Sequence, residues 1–389
     1  MRVLHFSCVA PPEYGGIGSV AYREVSGLRS RGIDARLVAP EPTFGGGMAP
    51  EAERSFIERI KPTWRWGNGA IFSHILPLAR QADILHVHYP FLGVADTLLL
   101  NAFRLPPIVM TFHMDARPSG IKGWLARLHR LLIQPILLSQ TQKVLVSSYD
   151  YAQHASIRSF VRSHPERVSE VPFGIDTEFF SPGESARRRF FIPDDAPVLM
   201  AAGVMDAAHA FKGIPELLRA MTYLDHSVHL LLAGDGDRRV LYEELAQSLG
   251  LFARVHFLGR IDNETLRDAY RTADLFIFPS TSEAEAFGLV AAEALAVGTP
   301  VVASSLPGVR TLVRPGETGL LVHPKNIPEL AAGIKQLLGD SALRSAIRLR
   351  APHIIRDRYS WEQHLNSLQT VYREVLAASV EEPKDVVSL

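Results

Sequence analysis

Short apolar runs rich in β-branched residues alternate along the chain with longer stretches whose apolar positions recur at helical spacing. That rhythm predicts parallel α/β sheets. In the first half, strands are expected at Val3–Ser7, Ala35–Ala39, Ile84–His88, Ile108–Phe112 and Lys143–Val146, with helical stretches such as Val20–Arg31 and Lys122–Ser139 between them. The second half predicts strands at Val198–Ala202, Val228–Ala233, Arg254–Phe257, Leu275–Phe278, Pro300–Ala303 and Gly319–Val322. Runs such as VHLLLAG and DLFIFPS are continuously apolar, as strands covered on both faces must be. The turn-rich segment VPFGIDTEFFSPGE, residues 171–184, separates the two series. Two Rossmann-like domains with a cleft between them are therefore expected, the first over 1–175 and the second over 184–360. A last amphipathic stretch, Trp361–Leu376, carries Leu365, Leu368, Val371, Tyr372 and Val375 at helical spacing and is a candidate to cross back over the first domain. The tail after Ala378 is expected to fray.

Composition narrows this picture. A chain of 389 residues exceeds what one core usually covers, and 47% apolar with 21% charged residues is ordinary for a folded soluble protein. Lys plus Arg equals Asp plus Glu at 41 each, which gives no argument for nucleic acid as a partner. Residues 1–175 hold 19 Lys and Arg against 13 Asp and Glu, a basic bias that fits an anionic acceptor, a membrane surface or a solvated face. The single cysteine, Cys8, rules out an intrachain disulfide and lies in an apolar run as a core residue would. Neither a signal peptide nor an apolar run of about 18 residues is present, so the expected compartment is the cytoplasm, with peripheral attachment to the inner membrane face as a variant.

The segment PSTSEAEAFGLVAAEALAVGTPVVAS, residues 279–304, carries the densest chemistry. A buried strand ends at Pro279, a polar loop follows, and a helix is expected to begin near Phe287–Gly288. Ligands in open α/β sheets bind beyond the carboxyl ends of strands. Backbone N–H groups of Gly288, Leu289 and Val290 at the helix start favour a phosphate. Glu285 and Glu293 are eight positions apart, about two helical turns, so both carboxylates are expected on one side. One then suits sugar hydroxyls and the other a ribose. Glu283 and Glu285 also read as an N-terminal charge pair complementing the helix dipole, with Glu293 a surface residue, and the spacing does not choose between these readings.

In order along the chain, HAFKG (209–213) follows AAGV, LLAGDGD (231–237) follows a strand, VHFLGRIDNETLRDAYRTADLFIFPS (255–280) leads into the glutamate segment, and PGETGLLV (315–322) closes it. This series resembles glycosyltransferase family 4, retaining enzymes of the GT-B fold with a Glu-x7-Glu signature. The resemblance implies a metal-independent hexosyltransferase using a nucleotide-diphosphate sugar as donor substrate, with no cofactor. It implies Glu293 on the nucleotide ribose, Glu285 on the transferred sugar, and backbone groups of Phe287, Gly288, Leu289 and Val290 on sugar and phosphate. Gly259 and Arg260 are implied to hold the base, and Gly203 and Lys212 to lie at the donor diphosphate. Lys212 there suits a leaving group on which charge builds. The family's usual arginine beside the diphosphate is replaced by Val204 or Phe211, and Arg310 and His209 are candidate substitutes.

In the first domain, Gly15, Gly16 and Gly18 precede a helix, where glycine permits close approach and the helix start favours an anion. Tight turns use the same residues. In context the loop resembles the family's GGxG loop, which implies Gly16 near the donor phosphates and the acceptor. His113, after the strand IVMTF and before Asp115, is implied to face the donor sugar. His86 and His88 of ILHVHYP are read as pointing to opposite faces of a strand, which disfavours a metal site between them; no other metal ligand set is seen.

The acceptor is expected to be a hydroxyl of a glycan, a lipid-linked saccharide or a small molecule. Two basic, aromatic-containing stretches are candidates for an anionic membrane surface: residues 53–69 with Arg54, Arg59, Lys61, Trp64, Arg65 and Trp66, and residues 117–138 with Lys122, Trp124, Arg127 and Arg130. A core helix with solvated basic residues fits the second stretch equally. Competing functions are a sugar-nucleotide epimerase of related fold, a phosphorylase, or a non-catalytic nucleotide-sugar-binding protein. The first needs further acid and base residues and the second a much longer chain.

Overall fold

The computed structural model describes residues 1–11, 15–42, 55–67, 69–115 and 120–381. The chain forms two units, Met1–Pro172 with His364–Leu389, and Phe173–Gln363. Arg54 and the side chain of Lys122, both candidates for a membrane surface, lie outside what is described.

The first unit contains β1 (Arg2–Phe6), β2 (Asp34–Pro40), β3 (Ile57–Ile60), the antiparallel pair β4 (Trp64–Trp66) and β5 (Gly69–Ile71), β6 (Ile84–Tyr89), β7 (Ile108–Phe112), β8 (Lys143–Val146) and β9 (Val168–Glu170). Apart from that pair, they make one seven-stranded parallel sheet in the order β3-β2-β1-β6-β7-β8-β9. Every residue of β6 and β7 is buried, which is why both read as unbroken apolar-rich runs. β3 and β9 escape the sequence pattern because they are short edge strands, and IERI is only half-buried throughout. Helix α1 (Gly16–Ser30) starts earlier than the expected Val20. The helix expected over Lys122–Ser139 is two: α2 (Gly120–Leu132) and a second at Gln134–Gln140. Pro135 has no N–H to offer the carbonyl one turn earlier, so the helix breaks there.

The C-terminal helix runs Trp361–Glu381, longer than expected. From His364 onward it belongs to the first unit, where Leu368 and Tyr372 are fully buried. It packs so closely on α1 that a Cβ built on Gly27 would lie 2.4 Å from Leu365 Cδ1. Each such apolar side chain contributes about 1.5–3 kcal/mol when fully buried.

The second unit contains β10 (Val198–Ala202), α3 (Ile214–Met221), β11 (His229–Ala233), β12 (Val255–Gly259), α4 (Asn263–Thr272), β13 (Leu275–Phe278), α5 (Leu289–Ala296), β14 (Val301–Ser304) and β15 (Gly319–Val322). Its six-stranded parallel sheet has the order β12-β11-β10-β13-β14-β15. Strand order reverses between β10 and β13, and a crevice for ligands opens beyond the carboxyl ends of such a pair. The first unit has the same reversal between β1 and β6.

Candidate active site

At the β10/β13 reversal lies a small hollow lined by Ala202, Gly203, Met205, Lys212, Phe278 and Pro279 among others. Two loops build it. The loop after β10 ends in a short 3-10 turn, Ala210–Lys212, and the loop after β13 begins at Pro279. They are tied where Thr281 donates its backbone N–H (2.7 Å) and hydroxyl (3.2 Å) to the Phe211 carbonyl. Gly213 makes this approach possible. Its φ is +73°, and a Cβ there would sit 2.0 Å from the Pro279 carbonyl oxygen, so α3 can begin at this point only with glycine before it.

That knot brings Lys212 and Glu285 together. Lys212 Nζ donates to Glu285 Oε2 at 2.6 Å, and Ser280 Oγ donates to the same oxygen at 3.1 Å. The Lys212 ammonium also lies 5.5 Å from the ring centres of both Phe211 and Phe278. Glu285 is buried, and its carboxylate is held by charge and by a hydroxyl. Ser280, fully buried, was not singled out in the sequence, although its place directly after a strand-ending proline is a usable signal.

The helix α5 starts at Leu289, next to the expected Phe287–Gly288. Gly288 is its N-cap with φ +95°, and a Cβ there would be 2.8 Å from Phe278 Cε1. Glu285 sits in the loop before it, as expected, and the two-turn argument for a shared face does not reach into that loop. The loop itself turns Glu285 toward Lys212, its N–H bonded to the Ser282 carbonyl at 3.1 Å. Leu289 and Val290 occupy the first turn of α5, where N–H groups lack intrahelical acceptors. The Phe287 ring is core, packed on Phe173 and Tyr359, so only its backbone is open to a ligand. Glu293 is half-buried and accepts a hydrogen bond from the Tyr270 hydroxyl at 3.0 Å. Burial, together with that carboxylate, pushes the Tyr270 phenol well above its ordinary range, so it stays a donor.

Gly259 ends β12 with φ +68° and is buried, while Arg260 is exposed. Arg239 reaches this turn: its Nη1 would lie 2.8 Å from a Cβ on Gly259, and its Nε donates to Glu243 at 2.7 Å. No sequence signal marks Arg239, whose nearness to β12 is tertiary. Of the candidate second cations, His209 is bonded to Asp206 Oδ1 at 2.8 Å and Arg310 is exposed on the short helix Val309–Leu312.

In the first unit, Gly16 is exposed at the start of α1, and a Cβ on it would meet nothing within 4 Å. Gly18 is different: a Cβ there would strike Val9 Cγ2 at 2.8 Å. His113 is buried at the end of β7, and its Nε2 lies 2.9 Å from His88 Nδ1. Burial, then neighbouring His364, push its imidazole down to about 3. Asp115 accepts from the Ser156 hydroxyl at 2.5 Å and backbone N–H at 3.1 Å, which fixes the loop behind His113. The expectation that His86 and His88 point to opposite faces is wrong. Residues two apart on a strand share a face, and their rings stack with centres 4.6 Å apart. Arg59 donates to the carbonyls of Pro40 (2.8 Å), Ala10 (3.0 Å) and Pro11, and Arg65 to that of Glu41 (2.6 Å), so both guanidinium groups are engaged within the unit.

The family model for Glycosyl transferases group 1 matches residues 184–353, and that for Glycosyltransferase Family 4 matches residues 14–179. A D-inositol 3-phosphate glycosyltransferase of Corynebacterium urealyticum is 35% identical over 343 residues, covering 81% of this chain and 78% of that protein. An uncharacterized glycosyltransferase of Methanocaldococcus jannaschii is 35% identical over 189 residues, 48% of this chain and only 47% of that relative's length. Among solved structures, sucrose-phosphate synthase from Thermosynechococcus elongatus is similar with a TM-score of 0.80 at 24% identity, covering 97% of this chain and 100% of that one. Anabaena Alr3699/HepE in complex with UDP and glucose gives 0.75 at 20% identity, covering 96% and 99%. The two structures establish the GT-B fold, and with the sequence matches they lead to one conclusion: this chain belongs to the glycosyltransferases of family 4, the glycosyl transferases group 1.

Proposed function

We propose that the protein transfers a hexose from a nucleotide-diphosphate sugar to an acceptor hydroxyl with retention of anomeric configuration, and that the donor binds at the β10/β13 reversal. The observation that carries this reading is the 2.6 Å contact of Glu285 with Lys212, a residue that lines the hollow. It sets a cation for the departing diphosphate beside a carboxylate able to take sugar hydroxyls, a separation suited to one donor. Lys212 neutralises charge that builds on the leaving oxygen, worth most where water is excluded. Backbone N–H groups of Gly288, Leu289 and Val290 take phosphate oxygens, and Glu293, oriented by Tyr270, takes the ribose. Gly259 and Arg260 lie at the base, with Arg239 beside them. In the first unit, His113 and Gly16 are the residues proposed for sugar and phosphate contact. Retention comes from front-face transfer, the departing phosphate oxygen helping to deprotonate the acceptor. Protein cations and helix N–H groups carry the diphosphate charge, so this step needs no divalent metal.

UDP-glucose is the first donor to try, because a structurally similar protein was crystallised with UDP and glucose. The names of several relatives recommend D-inositol 3-phosphate as the first acceptor. Among the described residues no helix is long and apolar enough to cross a membrane. Attachment to an anionic surface instead uses α2, where Trp124, Leu128, Leu131 and Leu132 are exposed alongside Arg127. The test is to supply nucleotide sugars with inositol phosphate or lipid-linked acceptors and follow the product's anomeric proton by NMR. Glycoside formed with the donor's own anomeric configuration supports the proposal; the opposite configuration rejects retention, and donor isomerised without transfer rejects transferase chemistry in favour of an epimerase.

A further inference from the structure

Beneath the first unit's sheet lies a polar cluster that sugar transfer does not use. His5 on β1, Glu24 on α1, and His86 and His88 on β6 are all fully buried. Glu24 Oε1 meets His364 Nε2 at 3.0 Å, but Oε2 accepts no hydrogen bond. A buried carboxylate oxygen without a partner is costly, so something should serve it. That oxygen faces His5 Nδ1 at 3.5 Å, His88 Nε2 at 3.6 Å and His86 Nδ1 at 3.7 Å, while His5 Nδ1 and His88 Nε2 are 3.1 Å apart. A tetrahedral ion with ligands at about 2.0–2.1 Å holds them roughly 3.3–3.4 Å from one another. The four distances given above bracket that spacing, and the ligand atoms of these residues all lie within 4.8 Å of one another.

From this juxtaposition we infer that His5, Glu24, His86 and His88 form a buried structural site for one divalent cation of the zinc class. Three imidazoles and one carboxylate are a donor set for zinc, cobalt or a similar borderline ion, not for calcium or magnesium. The remaining polar atom of each ligand is already held, as metal ligands require. His86 Nε2 is 2.6 Å from Thr111 Oγ1, His88 Nδ1 is 2.9 Å from His113 Nε2, His5 Nε2 is 3.2 Å from the Tyr372 hydroxyl, and Glu24 Oε1 has His364. Each imidazole then carries its proton on the nitrogen facing away from the ion. The Tyr372 hydroxyl also lies 2.5 Å from His86 Nδ1. Ion binding takes that lone pair, so the hydroxyl must move off His86 and keeps His5 as its donor. The ion would pin α1 and the C-terminal helix to β1 and β6. It would also fix His88 Nδ1–H as the donor to His113, orienting the ring at the end of β7.

The site is enclosed, so the ion should enter during folding. The test is to express the full chain in zinc-supplemented and in cobalt-supplemented medium, desalt it through EDTA, and count bound metal by mass spectrometry. About one ion per chain is expected, and the cobalt form should show the intense visible absorption of four-coordinate cobalt. Glu24→Gln keeps the shape and one oxygen, and should lower metal content at least tenfold; His88→Gln should do the same. Should His88→Gln fail to fold, Glu24→Gln carries the result. A wild-type chain without metal, its Glu24 served by water, overturns the inference. So does a folded Glu24→Gln chain carrying as much metal as wild type.

Discussion

Lys212 Nζ and Glu285 Oε2 are 2.6 Å apart, and the Ser280 hydroxyl shares the same carboxylate oxygen. This contact joins residues 73 positions apart and exists because two loops, each following a strand beside the sheet's reversal, are knotted at Phe211 and Thr281. Removing one partner should therefore do two separable things. Lys212→Ala should lower kcat/KM by about 10²–10³-fold, the usual cost of losing one preorganised charge-stabilising donor. It should also destabilise the fold by about 1–3 kcal/mol, because Glu285 is left buried with one partner fewer. The double variant Lys212→Met with Glu285→Gln should recover most of that stability and none of the activity. Thermal melts beside initial rates separate the two effects.

Glu293 is positioned by Tyr270. Tyr270→Phe removes one hydroxyl and leaves the ring packing against Phe180 and Phe276 intact. Nucleotide affinity should fall about tenfold, equivalent to about 1.4 kcal/mol, with kcat changed less than KM. Calorimetric titration with the donor's nucleoside diphosphate checks this.

Two glycines should respond in opposite ways. Gly288→Ala forces a side chain into φ +95° against Phe278, and should cost more than about 1 kcal/mol while displacing the start of α5. Gly16 has helical backbone and open space around its Cα, so Gly16→Ala should leave the melting temperature unchanged or raised. A tenfold or greater loss of turnover is nonetheless expected if that open space takes the ligand in the proposed site. Unchanged turnover in Gly16→Ala would remove this residue from the site.

Helix α2 exposes Leu131 (68%), Trp124 (61%) and Leu132 (60%). The protein should sediment with vesicles containing anionic lipid at low salt and release as salt screens the attraction. Leu131→Gln with Leu132→Gln should weaken sedimentation at least threefold. Equal sedimentation with neutral vesicles would indicate apolar insertion without charge attraction.

Most strands of both sheets were legible because parallel strands buried on both faces demand continuous apolar runs. LFIF and IVMTF satisfy that demand, whereas the half-buried edge strand IERI does not. Lys212, Glu285 and Glu293 stand out through resemblance, while the helical spacing says nothing about where the carboxylate of Glu285, which lies before the helix that begins at Leu289, points. Ser280, Tyr270 and Arg239 join the candidate site through contacts made across the fold, which carry no local signature. The histidine cluster was hidden for another reason. A period-two strand puts His86 and His88 on one face, and their partners His5, Glu24 and His364 come from three distant segments.

The central claim is that donor chemistry occurs beside Lys212 and Glu285, and nucleoside-diphosphate release tests it most directly. Wild type, Lys212→Ala and Glu285→Gln should be incubated with UDP-, GDP- and ADP-linked hexoses, and released nucleotide quantified over time. Wild type should release nucleotide from one donor class, slowly without acceptor and faster with it, and both folded variants should be slower by about 10²-fold or more. Equal release by wild type and both variants would contradict the account.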